Sequence, residues 1–207
     1  MSDTRSGRAT DRVVGAAADE NDEAVASWAE LADDVAGHVD DFLTALDAVA
    51  SGGAGAQAVA LLLLEVSQVH FVGAQLGAAV DVIPPDNTEP AIAEDPDLDA
   101  MRQGLAEQLH AVDDYVEVFD PYGDGAPVGY RLSDDLADIA EDLVHGMRHY
   151  RAGRSDEALW WWQFSYLSHW GNHSGAALRA LQAVVAHARL DTTPEPHPDE
   201  ADESSSA

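Results

Sequence analysis

The stretch WWWQFSYLSHWGNHSGAALRAL, residues 160–181, holds four of the five tryptophans and two of the nine histidines in the chain. Spaced at 100° per residue, it predicts a helix with two distinct faces. One face carries the apolar stripe of a core helix: Trp160, Phe164, Leu167, Gly171, Ser174, Leu178, Leu181 and Val185. The second face is aromatic and histidine-lined: Trp162, Tyr166, His169 and His173, with Trp170 between the two faces. Such a helix is buried on most sides, or presents its second face to another subunit or a ligand.

Length and patterning predict an all-α, five-helix bundle-like single domain. The chain has 207 residues and a hydrophobic content of 46%, enough for one compact core. No segment shows sustained two-residue alternation rich in β-branched residues, so we expect no strand. The expected helices span residues 23–49, 56–82, 95–119, 133–153 and 155–189.

Local signals set the expected ends of these helices. Asp95, Ser133 and Ser155 are predicted N-caps, and the last helix is expected to break or bend near Gly171. Glycine pairs spaced four residues apart, Gly73/Gly77 and Gly171/Gly175, predict close helix packing. The helical domain is assigned to residues 22–190. Residues 1–21 and the acidic tail 191–207 are polar and aperiodic, which predicts disordered termini.

The charge balance narrows the possible partners. The net charge is −29, with 39 acidic residues against 10 basic ones. Nucleic acid and anionic membranes both require a basic footprint, so direct binding to either is not expected. The absence of cysteine excludes disulfides and thiolate chemistry. The apolar run of residues 58–83 is interrupted by Glu65 and His70, which favours a buried helix over a membrane span. No secretory signal pattern opens the sequence, so we expect a cytoplasmic location.

Several segments resemble a bacterial family, domain-of-unknown-function family 5063. These are YVEVFDP at 115–121, LSDDLADIAEDL at 132–143, ALW at 158–160, HWG at 169–171 and ALRAL at 177–181. Their order and spacing are similar to the family's over residues 30–190. The resemblance implies a helical fold and an intracellular location. It also implies proximity to DNA-recombination genes for some members. The family's position at His173 is less constant and can be basic, which argues against a metal site shared by all members.

His169 and His173 have the i, i+4 spacing of two metal ligands on one helix face. The sequence from 169 to 173 reads His-Trp-Gly-Asn-His, without the glutamate of a zinc-protease motif. A metal site would need a third ligand, such as His70, Glu65 or an aspartate of the fourth helix. Structural histidines are the favoured interpretation, so no cofactor is expected, and a divalent metal remains the alternative.

The acidic fourth helix offers candidate structural polar contacts. Asp134, Asp138, Glu141 and His145 lie opposite its apolar stripe and are expected to face solvent. Asp135 and Asp142 flank that face and are expected to contact other helices, for example through Arg179. Asp138 is grouped with them as a polar contact of this helix. No serine–histidine–aspartate arrangement and no phosphate loop is recognisable, so no catalytic residue is predicted.

These observations favour a cytoplasmic binding module that is not an enzyme. Its predicted surface is the face formed by Trp162, Tyr166, His169, Trp170 and His173. We expect this face to bind a protein partner or another copy of the chain. One alternative is a helical bundle that binds a metal or small ligand through His169 and His173. Another is a protein that assists a DNA-recombination or repair machine by contacting protein.

Overall fold

The computed structural model describes residues 7–84, 90, 94–118, 122–123 and 125–190, with side chains from residue 28 onward. The described part is helical apart from one small hairpin, which confirms the all-α fold class. The elements in chain order are α1 (Gly7–Ala50), a 3-10 turn (Gly55–Gln57), α2 (Ala58–Ala78), α3 (Asp99–Leu109), β1 (Asp114–Glu117), β2 (Val128–Arg131), α4 (Leu132–Arg151), α5 (Ser155–Ser165), a π-helical turn (Tyr166–Trp170) and α6 (Gly171–Leu190).

One hydrophobic core joins the helices. Helix α2 packs between α1 and α6, while α4 packs on α5, α6 and α3. Phe42, Leu62, Leu136, Trp162 and Trp170 are all fully buried in this core. Apolar burial of this kind is the main term that stabilises a helical domain, because isolated helices are marginal in water.

The third helix, predicted over residues 95–119, is wrong in its second half, which contains a strand. Helix α3 ends at Leu109, and β1 pairs antiparallel with β2 in a register that places Asp114 opposite Arg131 and Glu117 opposite Val128. The prediction of no strand is therefore wrong for this hairpin. Each strand is four residues long, too short to give a clear alternation signal.

The predicted N-caps differ from the observed ones. Helix α4 begins at Leu132, and Ser133 donates its N–H and hydroxyl to Asp113, at 2.8 and 3.0 Å. Helix α5 begins at Ser155, with Arg154 preceding it as the cap residue. Asp95 lies four residues before α3 and contacts His145. A carboxylate from the chain before β1 thus supplies the acceptor that the local sequence suggested Ser133 would supply.

The chain ends differ from expectation where they are described. The backbone of residues 7–21, expected to be disordered, belongs to α1. Each residue added to an existing helix gains a hydrogen bond without a new nucleation cost, so a long helix extends into polar sequence. Residues 1–6 and the tail 191–207 lie outside the described residues.

The Gly73/Gly77 pair and the irregularity near Gly171 agree with prediction, whereas a Cβ atom at Gly175 would make only an ordinary contact with His70. The π-helical turn ends at Trp170, directly before Gly171. A Cβ atom at Gly73 would overlap Trp170 and Tyr166, and one at Gly77 would overlap Tyr166. Tyr166 therefore lies over the glycine surface of α2. Glycine at these two positions lets the π turn approach the α2 backbone.

Helix α2 with its preceding turn, Gly55–Ala78, is long and apolar enough to cross a membrane, with 33% of its most apolar window buried. Core helices of soluble proteins also meet this criterion of length and composition. Here α2 packs on α1 and α6, and His70 Nδ1 lies 2.8 Å from Ser174 Oγ on α6. Helix α2 therefore packs along one side against other helices of the domain.

Candidate functional site

Two members of the predicted binding face are buried in the core. Trp162 and Trp170 are both 0% exposed. The Trp162 indole donates to Leu143 O at 3.1 Å, and the Trp170 indole donates to Trp162 O at 3.2 Å. Both side chains have their polar group satisfied inside the protein. They cannot contact a partner, so the predicted face is corrected at these two positions.

The π-helical turn explains this error. Such a turn inserts one extra residue, which shifts the helix phase by about 100°. Downstream of the turn, Ser174 and Leu181 are buried as predicted. Upstream of it, the buried positions are Ala158, Leu159, Trp161, Trp162, Gln163 and Ser165. Phe164 and Leu167, predicted as core, are instead 48% and 61% exposed.

The two histidines of the face each meet an aspartate of α4. His169 Nδ1 lies 2.7 Å from Asp142 Oδ2, and His173 Nδ1 lies 2.7 Å from Asp135 Oδ1. The two imidazole rings are 4.7 Å apart in an edge-to-face arrangement. Tyr115 on β1 donates its hydroxyl to the second oxygen of Asp135. A polar cluster therefore joins α6, α4 and the hairpin.

Burial and charge act in opposite directions on this cluster. Burial alone would lower the pKa of His173, but the hydrogen bond and charge of Asp135 outweigh it and raise that pKa. Asp138 and Asp142 add to this effect. Burial raises the pKa of Asp142, against the opposing influence of His169. Burial and the bond to Asp135 also raise the pKa of Tyr115. The cluster therefore favours the protonated form of His173, hydrogen-bonded to Asp135.

The other predicted polar contacts have different partners. Arg179 donates to Glu117 at 3.0 Å, rather than to Asp135 or Asp142. Asp138, expected to face solvent, accepts a hydrogen bond from Arg102 at 2.8 Å. His145, also placed by prediction on the solvent side, is buried at 4% exposure. Helix α3 and the segment before it cover this side of α4, which helical periodicity alone does not reveal.

Of the possible third metal ligands, the aspartates of α4 come close to His169 and His173, whereas His70 and Glu65 do not. His70 bonds Ser174 on the other side of α6, and Glu65 lies near Asp41 and His38. The aspartates that come close are hydrogen-bonded to the Nδ1 atoms of both histidines. Among the described residues, three donors near enough to share one ion occur at Asp95, Glu141 and His145. Sequence reasoning missed this group, although Glu141 and His145 share the i, i+4 spacing of ligands on one helix.

The solvent side of α2 forms an exposed face without charge. Its exposed positions follow one helical stripe: Ala60, Leu64, Gln68, Phe71, Ala74, Gln75 and Ala78. We call this stripe the α2 face. Leu64 is 55% exposed and Phe71 is 59% exposed. Leu167 from the π turn lies beside Gly77 and continues the apolar surface.

Gln163 on α5 hydrogen-bonds to the C-terminal end of α2 and the segment that follows it. Its side-chain amide donates to Leu76 O at 2.8 Å, and its Oε1 accepts from the Val82 N–H at 2.8 Å. Gln163 is buried, so these bonds are shielded from water. They fix the exit of α2 and the exposed Val80 that follows it. The apolar surface is therefore presented on a rigid element.

An open cleft of about 640 Å³ lies between β1 and the second half of α6. Tyr115, Val116, Glu117 and Arg179 line it, with Gln182 and His187 further along α6. The ion pair between Arg179 and Glu117 crosses its wall. The guanidinium of Arg179, which could hold an anionic ligand here, is thus already paired with Glu117.

The geometry defines an all-α protein with a buried aromatic centre, a histidine–aspartate cluster and an uncharged helix face. The chain belongs to the family described as Domain of unknown function (DUF5063), whose model matches residues 26–187. This confirms the family expected from the sequence. A crystal structure of protein BF1032 from Bacteroides fragilis is similar, with 18% identity and a TM-score of 0.60. That similarity covers 79% of this chain and 94% of that one, and it shows the fold alone. No curated protein matches the chain.

Proposed function

We propose that this protein is a cytoplasmic binding module that acts by association rather than catalysis, and that the α2 face is its binding surface. The observation that carries this proposal is the absence of charge from all seven exposed α2 positions, in a chain with a net charge of −29. The cores of protein interfaces are depleted in charge and enriched in aromatic and apolar side chains. The α2 face shares the lack of charge, and Phe71 and Leu64 are its large apolar side chains.

Phe71 is the natural anchor of the α2 face. A half-exposed phenylalanine keeps apolar area in water, and its burial against a partner contributes up to about 1.5–3 kcal/mol. Leu64 lies two turns earlier on the same side of the helix, and Leu167 widens the surface beside Gly77. Apolar side chains that recur along one rigid helix are the pattern by which helices dock on one another.

The occupant favoured by the charge distribution is a second copy of the chain. Two molecules this acidic repel each other at most orientations. When two copies approach through their α2 faces, no carboxylate of one stripe meets a carboxylate of the other. A symmetric dimer would place the same stripe on both sides, so each Phe71 would face the partner's stripe. Added salt should strengthen this association by screening the remaining repulsion.

Sedimentation velocity on the full chain, over a concentration series at low and high salt, tests this proposal. We expect a dimer that strengthens with salt. Phe71→Asp should weaken dimerisation at least tenfold, about 1.4 kcal/mol, because it buries a carboxylate in an apolar contact. The matched control is Val116→Asp, at a hairpin position that is 68% exposed, which should leave the dimer unchanged.

Three results would contradict this proposal. One is a wild type that stays monomeric at all concentrations and salt levels. A second is flotation with phosphatidylcholine vesicles that is lost in Phe71→Asp, which would assign the face to a lipid surface instead. Equal weakening by both substitutions would likewise show that the α2 face is not the contact.

A further inference from the structure

Three side chains from two separate segments converge beside the second half of α4. Glu141 and His145 lie one turn apart on α4, and Asp95 comes from the segment that precedes α3. Their ligand atoms all lie within 4.8 Å of one another, and His145 Nε2 is 3.3 Å from Asp95 Oδ1. We propose that Asp95, Glu141 and His145 form a binding site for a divalent transition-metal ion.

The separations suit shared coordination after small side-chain adjustments. With metal–ligand bonds of about 2.1 Å, ligands in a tetrahedral arrangement lie about 3.4 Å apart. The pair formed by His145 and Asp95 already has this separation. Glu141 has a long side chain with rotatable bonds, so its carboxylate can close the remaining gap without a backbone shift.

A buried imidazole distinguishes this group from an ordinary acidic patch. The His145 side chain is only 5% exposed, and its ring lies 5.1 Å from the Trp161 ring. This packing fixes the ring, so that Nε2 points to the carboxylates at the surface. Asp95 is 74% exposed at its side chain and gives an ion access from solvent. One nitrogen held rigidly by packing and one accessible carboxylate are features of a preformed site.

Glu141 has a carboxylate available for an ion. Within the described part of the chain, no hydrogen bond or ion pair engages it. It nevertheless lies near a second carboxylate, Asp95, and two like charges at this distance repel each other. Asp142 adds a third negative group that interacts electrostatically with His145. A divalent cation would remove this repulsion.

The donor set selects the class of ion. One imidazole nitrogen with two carboxylate oxygens suits zinc, manganese or ferrous iron, whereas magnesium and calcium prefer oxygen ligands alone. Three protein ligands leave open coordination positions for water or an exchangeable ligand. The same three residues also tether the segment before α3 to α4, where Arg148 donates to Glu94 O. Metal binding would therefore tighten this connection.

The test is isothermal titration of zinc or manganese into the full chain, purified without a histidine tag and stripped with chelator. Excess magnesium is present throughout to occupy nonspecific sites on the acidic surface. We expect one saturable site per chain and a rise in melting temperature with bound metal. Glu141→Gln and Asp95→Asn should each lower the metal affinity by at least about tenfold. Loss of a residue that only supports a metal ligand already costs that much, and loss of the ligand itself should cost no less.

Matched controls separate this site from general acidity and from the other histidines. Asp156→Asn removes one exposed carboxylate on α5 and should leave affinity unchanged. His173→Gln removes an imidazole from the histidine–aspartate cluster and should also have no effect. His145→Gln should abolish the site, and its melting temperature without metal shows whether it folds.

Three outcomes would overturn the proposal: weak multiple binding that magnesium displaces, a site lost in His173→Gln, or an affinity unaffected by Glu141→Gln and Asp95→Asn together. Sedimentation of the same samples distinguishes this result from the proposed dimer, because the metal ligands are not part of the α2 face.

Discussion

At the scale of single residues, the contact between His173 and Asp135 is a hydrogen bond in a nearly buried setting. The two side chains are 12% and 3% exposed, and their closest atoms are 2.7 Å apart. Asp135 is shared with the Tyr115 hydroxyl, so its two oxygens have one donor each. This contact stabilises the packing of α6 on α4 more than an exposed ion pair would.

The raised pKa of His173 gives this contact a pH dependence. In the unfolded chain a histidine has a pKa of about 6.5. Because the folded pKa is higher, the stabilisation is complete below the unfolded pKa and is lost as the pH rises through the folded pKa. His173→Gln should therefore cost about 1 kcal/mol near pH 6, and less as the pH increases towards 9. Urea denaturation at a series of pH values measures this difference.

His110→Gln, at an exposed position after α3, is the matched control and should show little change across the same series. A destabilisation by His173→Gln that grows with pH would contradict the assignment, since it would mean that the neutral imidazole makes the stabilising contact.

The sequence predicted that His169 and His173 lie together, and the structure keeps their rings adjacent. It did not predict which aspartates they meet. Helix α4 has carboxylates on several sides, and helical periodicity ranks positions only by their angle from the apolar stripe. The sides of α4 that are covered depend on α3, α6 and the hairpin. Coverage is therefore set by contacts between residues that are more than twenty positions apart in the chain.

At the scale of the elements, the π-helical turn sets the position of the aromatic residues. An uninterrupted helix would have buried Trp160, Phe164 and Leu167. The extra residue turns Trp161 and Trp162 inward and leaves Phe164 and Leu167 at the surface. A sequence pattern read at 3.6 residues per turn cannot show such an insertion, although Gly171 correctly marked where the helix is irregular.

The close approach of α2 and the π turn predicts opposite effects for two glycine substitutions. Gly73→Ala places a methyl group against Trp170 and Tyr166 and should destabilise the protein by about 1–3 kcal/mol. Gly37→Ala on α1 meets nothing within 4 Å, so it should stabilise by about 0.5–1 kcal/mol through helix propensity. Thermal and chemical denaturation of both variants checks the pair. Equal stabilisation by both would show that α2 and the π turn are not in close contact.

At the scale of the whole molecule, composition was a good guide to fold class and a poor guide to the surface. The apolar fraction and the helical periodicity predicted an all-α domain, because core burial follows residue type. The hairpin was missed because its strands are short. The exposed part of α2 was missed because an apolar helix looks equally suited to a core. Only the packing of α1 and α6 shows which side of α2 they leave uncovered.

If the α2 face binds a second copy of the chain, residues of this face lie close together in the dimer, and cysteine crosslinking measures that proximity. The chain has no cysteine, so each single-cysteine variant tests one position. Ala74→Cys places the thiol on the α2 face, and Ala100→Cys places it on α3. A short bis-maleimide joins two thiols only when the copies place them close together. We expect covalent dimers from Ala74→Cys, none from Ala100→Cys, and loss of the Ala74→Cys product when Phe71→Asp is added. Absence of dimers from Ala74→Cys, or equal yields at both positions, would contradict the claim.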